Sequence, residues 1–196
     1  IMGSEQLAFT TDLAAGVNHG EILFIAVGTP PLPTGESDTR YVEAVARGIG
    51  QHMGSDYKVI VNKSTVPVGS GDRVQRLILD EVEARNTQVT FDVVSNPEFL
   101  REGSAVYDTF NPDRIILGGQ SVKAIGRMKQ LYAPIVKRLF AMDTSRPEVP
   151  VVVTDLASAE TIKYAANAFL ATKISFINEI ANICDRIGAD VNQVSQ

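Results

Sequence analysis

Five short apolar runs recur along the chain with almost no polar alternation inside them, and between them apolar residues return every three or four positions. The runs are residues 21–27 (EILFIAV), 57–61 (YKVIV), 91–95 (FDVVS), 114–117 (RIIL) and 149–153 (VPVVV). Rich in β-branched residues and lacking alternation, they fit strands covered on both faces, as in a parallel sheet. The stretches between them carry Val42, Val45, Ile49 and Met53, then Val74, Leu77, Ile78 and Val82, then Val122, Ile125, Leu131, Ile135 and Leu139, a spacing that predicts helices with one buried stripe. Strand followed by helix, repeated, predicts an open α/β sheet with right-handed crossovers, and such sheets take ligands beyond the carboxyl ends of their strands.

The final segment breaks the pattern. From about 155 to 187 no Pro or Gly interrupts the chain; Ile162, Ala166, Phe169, Ile177, Ile180, Cys184 and Ile187 stand at helical spacing, and Gly188 marks the stop. A helix of this length is on the order of 45 Å long at 1.5 Å per residue, too long to cover one small sheet, so it is expected to leave the first domain for another domain or a partner chain. Charge narrows the partners: 18 Lys and Arg against 23 Asp and Glu, with no long basic cluster, argue against nucleic acid or an anionic membrane. A lone cysteine, Cys184, forms no disulfide within the chain, and no apolar run approaches the roughly 20 residues that span a bilayer. These features predict a protein of a reducing compartment, the cytoplasm. The start Ile1-Met2-Gly3-Ser4 has neither the basic region nor the apolar core of a signal peptide, and Met2-Gly3-Ser4 resembles a cloning scar more than an exported leader.

Several segments could carry chemistry. Val27-Gly28-Thr29-Pro30-Pro31 closes the first run; it reads either as a turn or as a ligand-facing loop in which Gly28 admits close backbone approach and Thr29 offers a hydroxyl. Ser64 and Thr65, after the second run, either cap the next helix or hold ribose, phosphate or a water. Gly69-Ser70-Gly71-Asp72-Arg73-Val74 imitates a dinucleotide fingerprint, but its sixth position is Val and three residues separate it from the strand, so it is rejected. Glu98 and Glu102 stand four apart; in a helical turn they would share a face, held by Phe99 and Leu100, either as a general base with a ribose ligand or as a solvated acidic face. Lys163 and Asn167 repeat that spacing on the long helix, where an ammonium beside a carboxamide suits a developing oxyanion, against the plainer reading of two surface residues. Asn is a poor mid-helix residue, which favours a task for Asn167. Cys184 belongs to the apolar stripe and reads as core, and His19 and His52 lack partners at metal-ligand spacing, so no metal is expected.

Taken together, Phe9-Thr10-Thr11-Asp12, Val27-Gly28-Thr29-Pro30, Lys63-Ser64-Thr65-Val66-Pro67-Val68-Gly69, Ser95-Asn96-Pro97-Glu98-Phe99-Leu100-Arg101-Glu102-Gly103, Asn111-Pro112-Asp113-Arg114 and Lys163-Tyr164-Ala165-Ala166-Asn167 stand in the order and spacing of the UDP-glucose 6-dehydrogenases. The chain resembles that nucleotide-sugar family from Leu7 to Val194. The resemblance implies a Rossmann-like α/β fold, an open, mostly parallel and partial sheet followed by a long connecting helix. Residues 1–153 would be the C-terminal part of an NAD-binding domain, and 154–196 an interdomain and dimerisation helix with the start of a central domain. It implies a homodimer built on that helix, NAD as cofactor and UDP-glucose as substrate, oxidised twice to UDP-glucuronate through a thioester, in the service of polysaccharide biosynthesis.

Carried over by position, the resemblance sets Val27, Gly28, Thr29, Pro30, Pro31, Ser64 and Glu102 against the cofactor. It gives Thr65, Glu98, Lys163 and Asn167 catalytic roles, and lines the sugar with Glu98, Phe99, Leu100, Arg101, Glu102, Lys163 and Asn167. The family's glycine-rich turn and ribose-binding acid precede the aligned region, and its Gly-Gly-x-Cys-x-Pro-Lys-Asp segment follows it. Cys184 has no such context, so this polypeptide alone is expected to be inactive with NAD and UDP-glucose. A raw sheet edge and an uncovered helix stripe predict self-association. GDP-mannose and UDP-N-acetylmannosamine 6-dehydrogenases share the chemistry and are rival readings, as is a non-catalytic binding or oligomerisation module.

Overall fold

The computed structural model describes residues 6–140 and 146–196; Ile1, Met2, Gly3 and Ser4 lie outside the described residues. The chain divides into two compact units, Ile1–Glu160 and Thr161–Gln196. The first is an α/β unit around a five-stranded sheet, with strands β1 (Ile22–Ile25), β2 (Lys58–Asn62), β3 (Phe91–Ser95), β4 (Ile115–Gly118) and β5 (Val151–Thr154) in the order β1-β2-β3-β4-β5. All five expected runs became strands, trimmed or shifted by a few residues.

The sheet is not parallel throughout. β1, β2 and β3 are parallel, as are β4 and β5, but β3 meets β4 antiparallel through the single pair Ser95↔Gly118. The reason lies in the connections. α2 (Arg40–His52) and α3 (Ser70–Ala84) are crossover helices between β1, β2 and β3, and α5 (Val122–Val136) is one between β4 and β5. Residues 96–114 hold only the six-residue α4 (Ala105–Phe110), too short to carry the chain back along the sheet.

β2 is buried along its whole length, and its side chains alternate between two apolar cores. Ile60 joins Ile25 and Val93 beneath Val42, Ala46 and Ile49 of α2 and Val74, Leu77 and Ile78 of α3; Val59 and Val61 join Val94, Ile115 and Leu117 against Ala124, Ile125 and Met128 of α5. The stripes of α2 and α3 follow the expected spacing. That of α5 does not: Val122, Leu131 and Leu139 are exposed, and the buried face runs through Ala124, Ile125 and Met128, with Tyr132 and Ile135 packed against it. Val122 and Leu131 are nine residues apart, about half a turn out of phase at ~100° per residue, so both could not face the core.

An additional helix, α1 (Leu13–His19), precedes β1, its first turn closed by Asp12, whose Oδ1 accepts from Ala15 N at 3.1 Å. The Thr10-Thr11-Asp12 string is therefore a helix cap, with Thr10 Oγ1 accepting from Asp12 N at 3.0 Å. α6 (Leu156–Ile187) is a single helix of 32 residues that begins in the first unit and supplies most of the second. Gly188, at φ 74°, ends it in the left-handed conformation that glycine adopts without strain, and the four-residue α7 (Val191–Val194) follows. Within the second unit Cys184 is buried as expected, whereas Phe169 and Ile187 of the same expected stripe are exposed.

Candidate functional site

The carboxyl ends of β1, β2 and β3 lie side by side because the three strands are parallel and in register, Ile25 beside Asn62 and Asn62 beside Ser95. The loops leaving these ends are joined by hydroxyl groups. Ser64 Oγ accepts from Val27 N at 3.0 Å and donates to Val27 O at 2.7 Å, welding the loop after β2 to the end of the first apolar run. Thr29 Oγ1 donates to Thr65 O at 2.8 Å, and Thr65 Oγ1 donates to Glu98 Oε1 at 3.4 Å. Neither Ser64 nor Thr65 caps α3: its N-cap is Gly69, which makes no side-chain cap. The expected capping role is thus absent, and both hydroxyls hold loops together.

Gly28 is exposed, and a Cβ added there would meet nothing within 4 Å. Its φ is not positive, so neither packing nor backbone conformation within this chain demands glycine. One strand over, Asn62 is buried with neither atom of its side-chain amide hydrogen-bonded among the described residues. A buried amide without partners is costly. This end of the sheet thus pairs open backbone at Gly28 with unused polar capacity at Asn62.

Beyond β3, a cavity of about 410 Å³ is lined by the 96–101 segment, Lys63, Arg114, Tyr132 and residues of and around α4. Asn96 anchors its floor. Asn96 Oδ1 accepts from Tyr132 OH at 2.6 Å and from Lys63 Nζ at 3.2 Å, while Asn96 Nδ2 donates to Ile116 O at 2.9 Å. One side chain therefore ties β3 to β4, α5 and the loop after β2, at the place where only one backbone pair joins the two halves of the sheet. Burial pushes the Tyr132 hydroxyl up to about 12, so it remains a donor. The Arg114 guanidinium lies 4.6 Å from the centre of the Phe99 ring.

The expected helical turn carrying Glu98 and Glu102 does not form. Residues 96–101 are irregular, Glu102 is exposed in the turn that follows, and the two carboxylates share no helix face. The physical cause is Pro97 at the segment's start and Gly103 at φ 83° near its end. Glu98 is half-buried and reaches Thr65, whereas Leu100, expected to hold the segment down, is 41% exposed. The anchor is Asp108 of α4, which sequence reasoning missed. It accepts from Arg101 N at 3.0 Å, from the Arg101 guanidinium at 2.6 and 3.1 Å and from Ser104 Oγ at 3.0 Å. The Arg101 guanidinium holds the Asp108 carboxyl well below the usual carboxylate range. No periodicity links positions 101 and 108, because the chain reverses between them.

In α6, Lys163 and Asn167 fall at the expected helical spacing; Lys163 is buried, which removes its reading as a surface lysine, and Asn167 is exposed. The rejected Gly69-to-Val74 string has its amides occupied from inside the chain: Gly69 N and Gly71 N donate to Glu160. Among the described residues no cluster of three or more His, Cys, Asp or Glu side chains could hold a metal, and no helix is long and apolar enough to cross a membrane.

Comparison with known proteins identifies the architecture. Residues 1–136 match the NAD binding domain of the UDP-glucose/GDP-mannose dehydrogenase family, and residues 157–196 match its central domain. The chain belongs to that family. It is 52% identical over 191 residues to the UDP-glucose 6-dehydrogenase TuaD of Bacillus subtilis, covering 97% of this chain and 38% of that protein. The UDP-glucose 6-dehydrogenase of Pseudomonas aeruginosa is 43% identical over 98% of this chain and 40% of its own length. Among solved structures, a UDP-glucose dehydrogenase from Pyrobaculum islandicum superposes with a TM-score of 0.86 at 40% identity, covering 98% of this chain and 42% of that one. A GDP-mannose dehydrogenase ternary complex from Pseudomonas aeruginosa gives 0.83 at 31% identity, covering 95% and 40%. The chain thus spans about two fifths of the length of these relatives and has the Rossmann-like dehydrogenase fold with an NAD-binding domain.

Proposed function

We propose that this chain is the part of a longer UDP-glucose 6-dehydrogenase that presents NAD and the sugar to each other, and that it oxidises nothing alone. What carries the reading is the run of hydroxyl bonds from Val27 through Ser64, and from Thr29 through Thr65 to Glu98, which brings three separate loops together at the ligand end of the parallel strands.

The residues present fit the cofactor. Gly28 is glycine where this chain's own packing asks for none, Val27, Thr29, Pro30, Pro31 and Ser64 surround it in sequence or through hydrogen bonds, and Asn62 leaves buried polar capacity at the same end of the sheet. Glu102, exposed in its turn, is assigned to the cofactor on the resemblance alone. When bound, NAD supplies the hydride acceptor for oxidation at the sugar carbon.

Thr65 and Glu98 then act as a proton relay. The Thr65 hydroxyl donates to Glu98 Oε1, so the carboxylate stays oriented, and its second oxygen takes a proton from a water or alcohol. Lys163 supplies a positive charge and Asn167 a neutral N–H donor to the oxygen that becomes negative. Phe99, Leu100 and Arg101 form the sugar-binding segment, kept in shape by Asp108. The division at 153/154, a homodimer through α6, a cytoplasmic location and a role in polysaccharide precursor synthesis belong to the same proposal.

The test uses a full-length dehydrogenase carrying this segment, with NADH formation followed by absorbance. Lys163→Ala is expected to lower kcat by about 10²–10³-fold, and Glu98→Gln by about 10²-fold or more. Activity retained in both variants would leave a non-catalytic module as the reading, and a panel of nucleotide sugars separates UDP-glucose from GDP-mannose and UDP-N-acetylmannosamine.

A further inference from the structure

Glu160 lies in the second turn of α6 and is 2% exposed. Its two carboxylate oxygens go to two backbone amides far away in sequence: Oε2 accepts from Gly69 N at 2.7 Å, 91 residues distant, and Oε1 from Gly71 N at 2.8 Å, 89 residues distant. Gly69 is the N-cap of α3, at φ 93°, and has no side chain with which to satisfy the helix's first amides. Glu160 takes that role from another helix, with a charge of the sign that a helix N-terminus favours. Gly71 gives the carboxylate room, since a Cβ there would stand 3.3 Å from Glu160 Oε1 and 3.1 Å from Leu156 Cδ2. Burial pushes the Glu160 carboxyl up, and the two amides pull it back down.

The start of α6 is held from two other directions. Asp155 caps it, its Oδ1 accepting from Ser158 N at 2.8 Å and its Oδ2 from Ser158 Oγ at 2.7 Å. Gly118, the last residue of β4, lets it lie close, because a Cβ there would collide with Ala159 Cβ and stand 2.8 Å from Asp155 O. Within the helix, Lys163 and Asn167 follow Glu160 by three and seven residues, which at ~100° per residue puts all three on one stripe. On the other side of the clamp, Gly69 ends the 63–69 loop that holds Ser64 and Thr65.

We propose that Glu160 is a positioning residue. Its two-pronged clamp on Gly69 and Gly71 locks the end of the loop that carries Ser64 and Thr65 to the first turns of α6, and so holds those two hydroxyls where they meet Val27 and Glu98. The inference rests on the roles proposed above for those residues; Glu160 itself touches neither substrate nor cofactor.

The test is a double-mutant cycle in a full-length dehydrogenase carrying this segment. Glu160→Gln keeps the size but turns an NH2 toward one of the two amides. Its kcat is expected to fall at least about tenfold while KM for NAD and for the nucleotide sugar changes less than about threefold. Adding Thr65→Ala to Glu160→Gln is expected to cost at least about threefold less than Thr65→Ala costs in the parent, because the hydroxyl is already displaced. Full activity in Glu160→Gln overturns the proposal, and so do losses that simply multiply, since a merely structural role would act independently of Thr65. A Thr65→Ala variant active by itself sinks the functional reading instead, so the two failures are told apart. Should Glu160→Gln fail to fold, Gly71→Ala presses on the same carboxylate from the opposite side and goes through the same cycle with the same criteria.

Discussion

Asp108 shows how much a single residue decides at this site. It satisfies the main chain of Arg101, the Arg101 guanidinium and the Ser104 hydroxyl, and so gives an irregular segment of the candidate sugar-binding loop one conformation. Its carboxyl is held below the ordinary value of 3.8, first by the Arg101 side chain and then by the Arg101 amide. A carboxyl with a lowered folded-state pKa contributes stability that is present above its unfolded value and is lost as pH falls through the folded one. Asp108→Asn is therefore expected to be less stable than the parent above pH 3.8, with the gap closing on further acidification; urea unfolding at several pH values reads this directly. A gap that stays constant with pH would remove the ionised carboxylate from the account. At the same scale, neighbours in sequence misled: Leu100 beside Glu98 is exposed, while Asp108, one turn of chain away, holds the segment.

At the scale of elements, one crossover too few explains the sheet. The helical patterns before and after residues 96–114 return the chain for parallel pairing, whereas this connection keeps it at one end, and β4 enters antiparallel with one bridging pair. The junction is then held by side chains, Asn96 to Ile116 O and Tyr132, and by the approach of α6 to Gly118. Gly118→Ala puts a methyl against Ala159 Cβ and Asp155 O without any strain in φ, because Gly118 has no positive φ. It is expected to destabilise the fold by about 1–3 kcal/mol through overpacking, seen as a lower urea midpoint with an unchanged slope. An unchanged midpoint would mean that α6 moves away from β4 freely.

For the whole molecule, the decisive facts are what the chain leaves uncovered. β1 and β5 are the outer strands of the sheet, with Phe24, Val152 and Val153 well exposed, and α6 exposes Phe169, Leu170, Ile174, Phe176, Ile183 and Ile187. Open strand edges and apolar side chains in water favour association. The isolated chain is expected to self-associate as its concentration rises, and light scattering that showed a clean monomer throughout would count against this.

The sequence by itself determined the α/β class, the five strands, the long helix and its stop, and the burial of Cys184, because each follows from periodicity, β-branching and the special backbone of glycine. It also marked Thr65, Glu98, Lys163 and Asn167 through their resemblance to a family's motifs. Only the tertiary structure decided the reversed pairing of β4, the rotated face of α5, the loss of the Glu98 and Glu102 helix face, and the partners of Asp108, Asn96 and Glu160. Those outcomes depend on groups brought together from distant positions, or on a chain reversal between near ones, and a backbone amide at Gly69 carries no mark in the sequence of the carboxylate 91 residues on that it will meet.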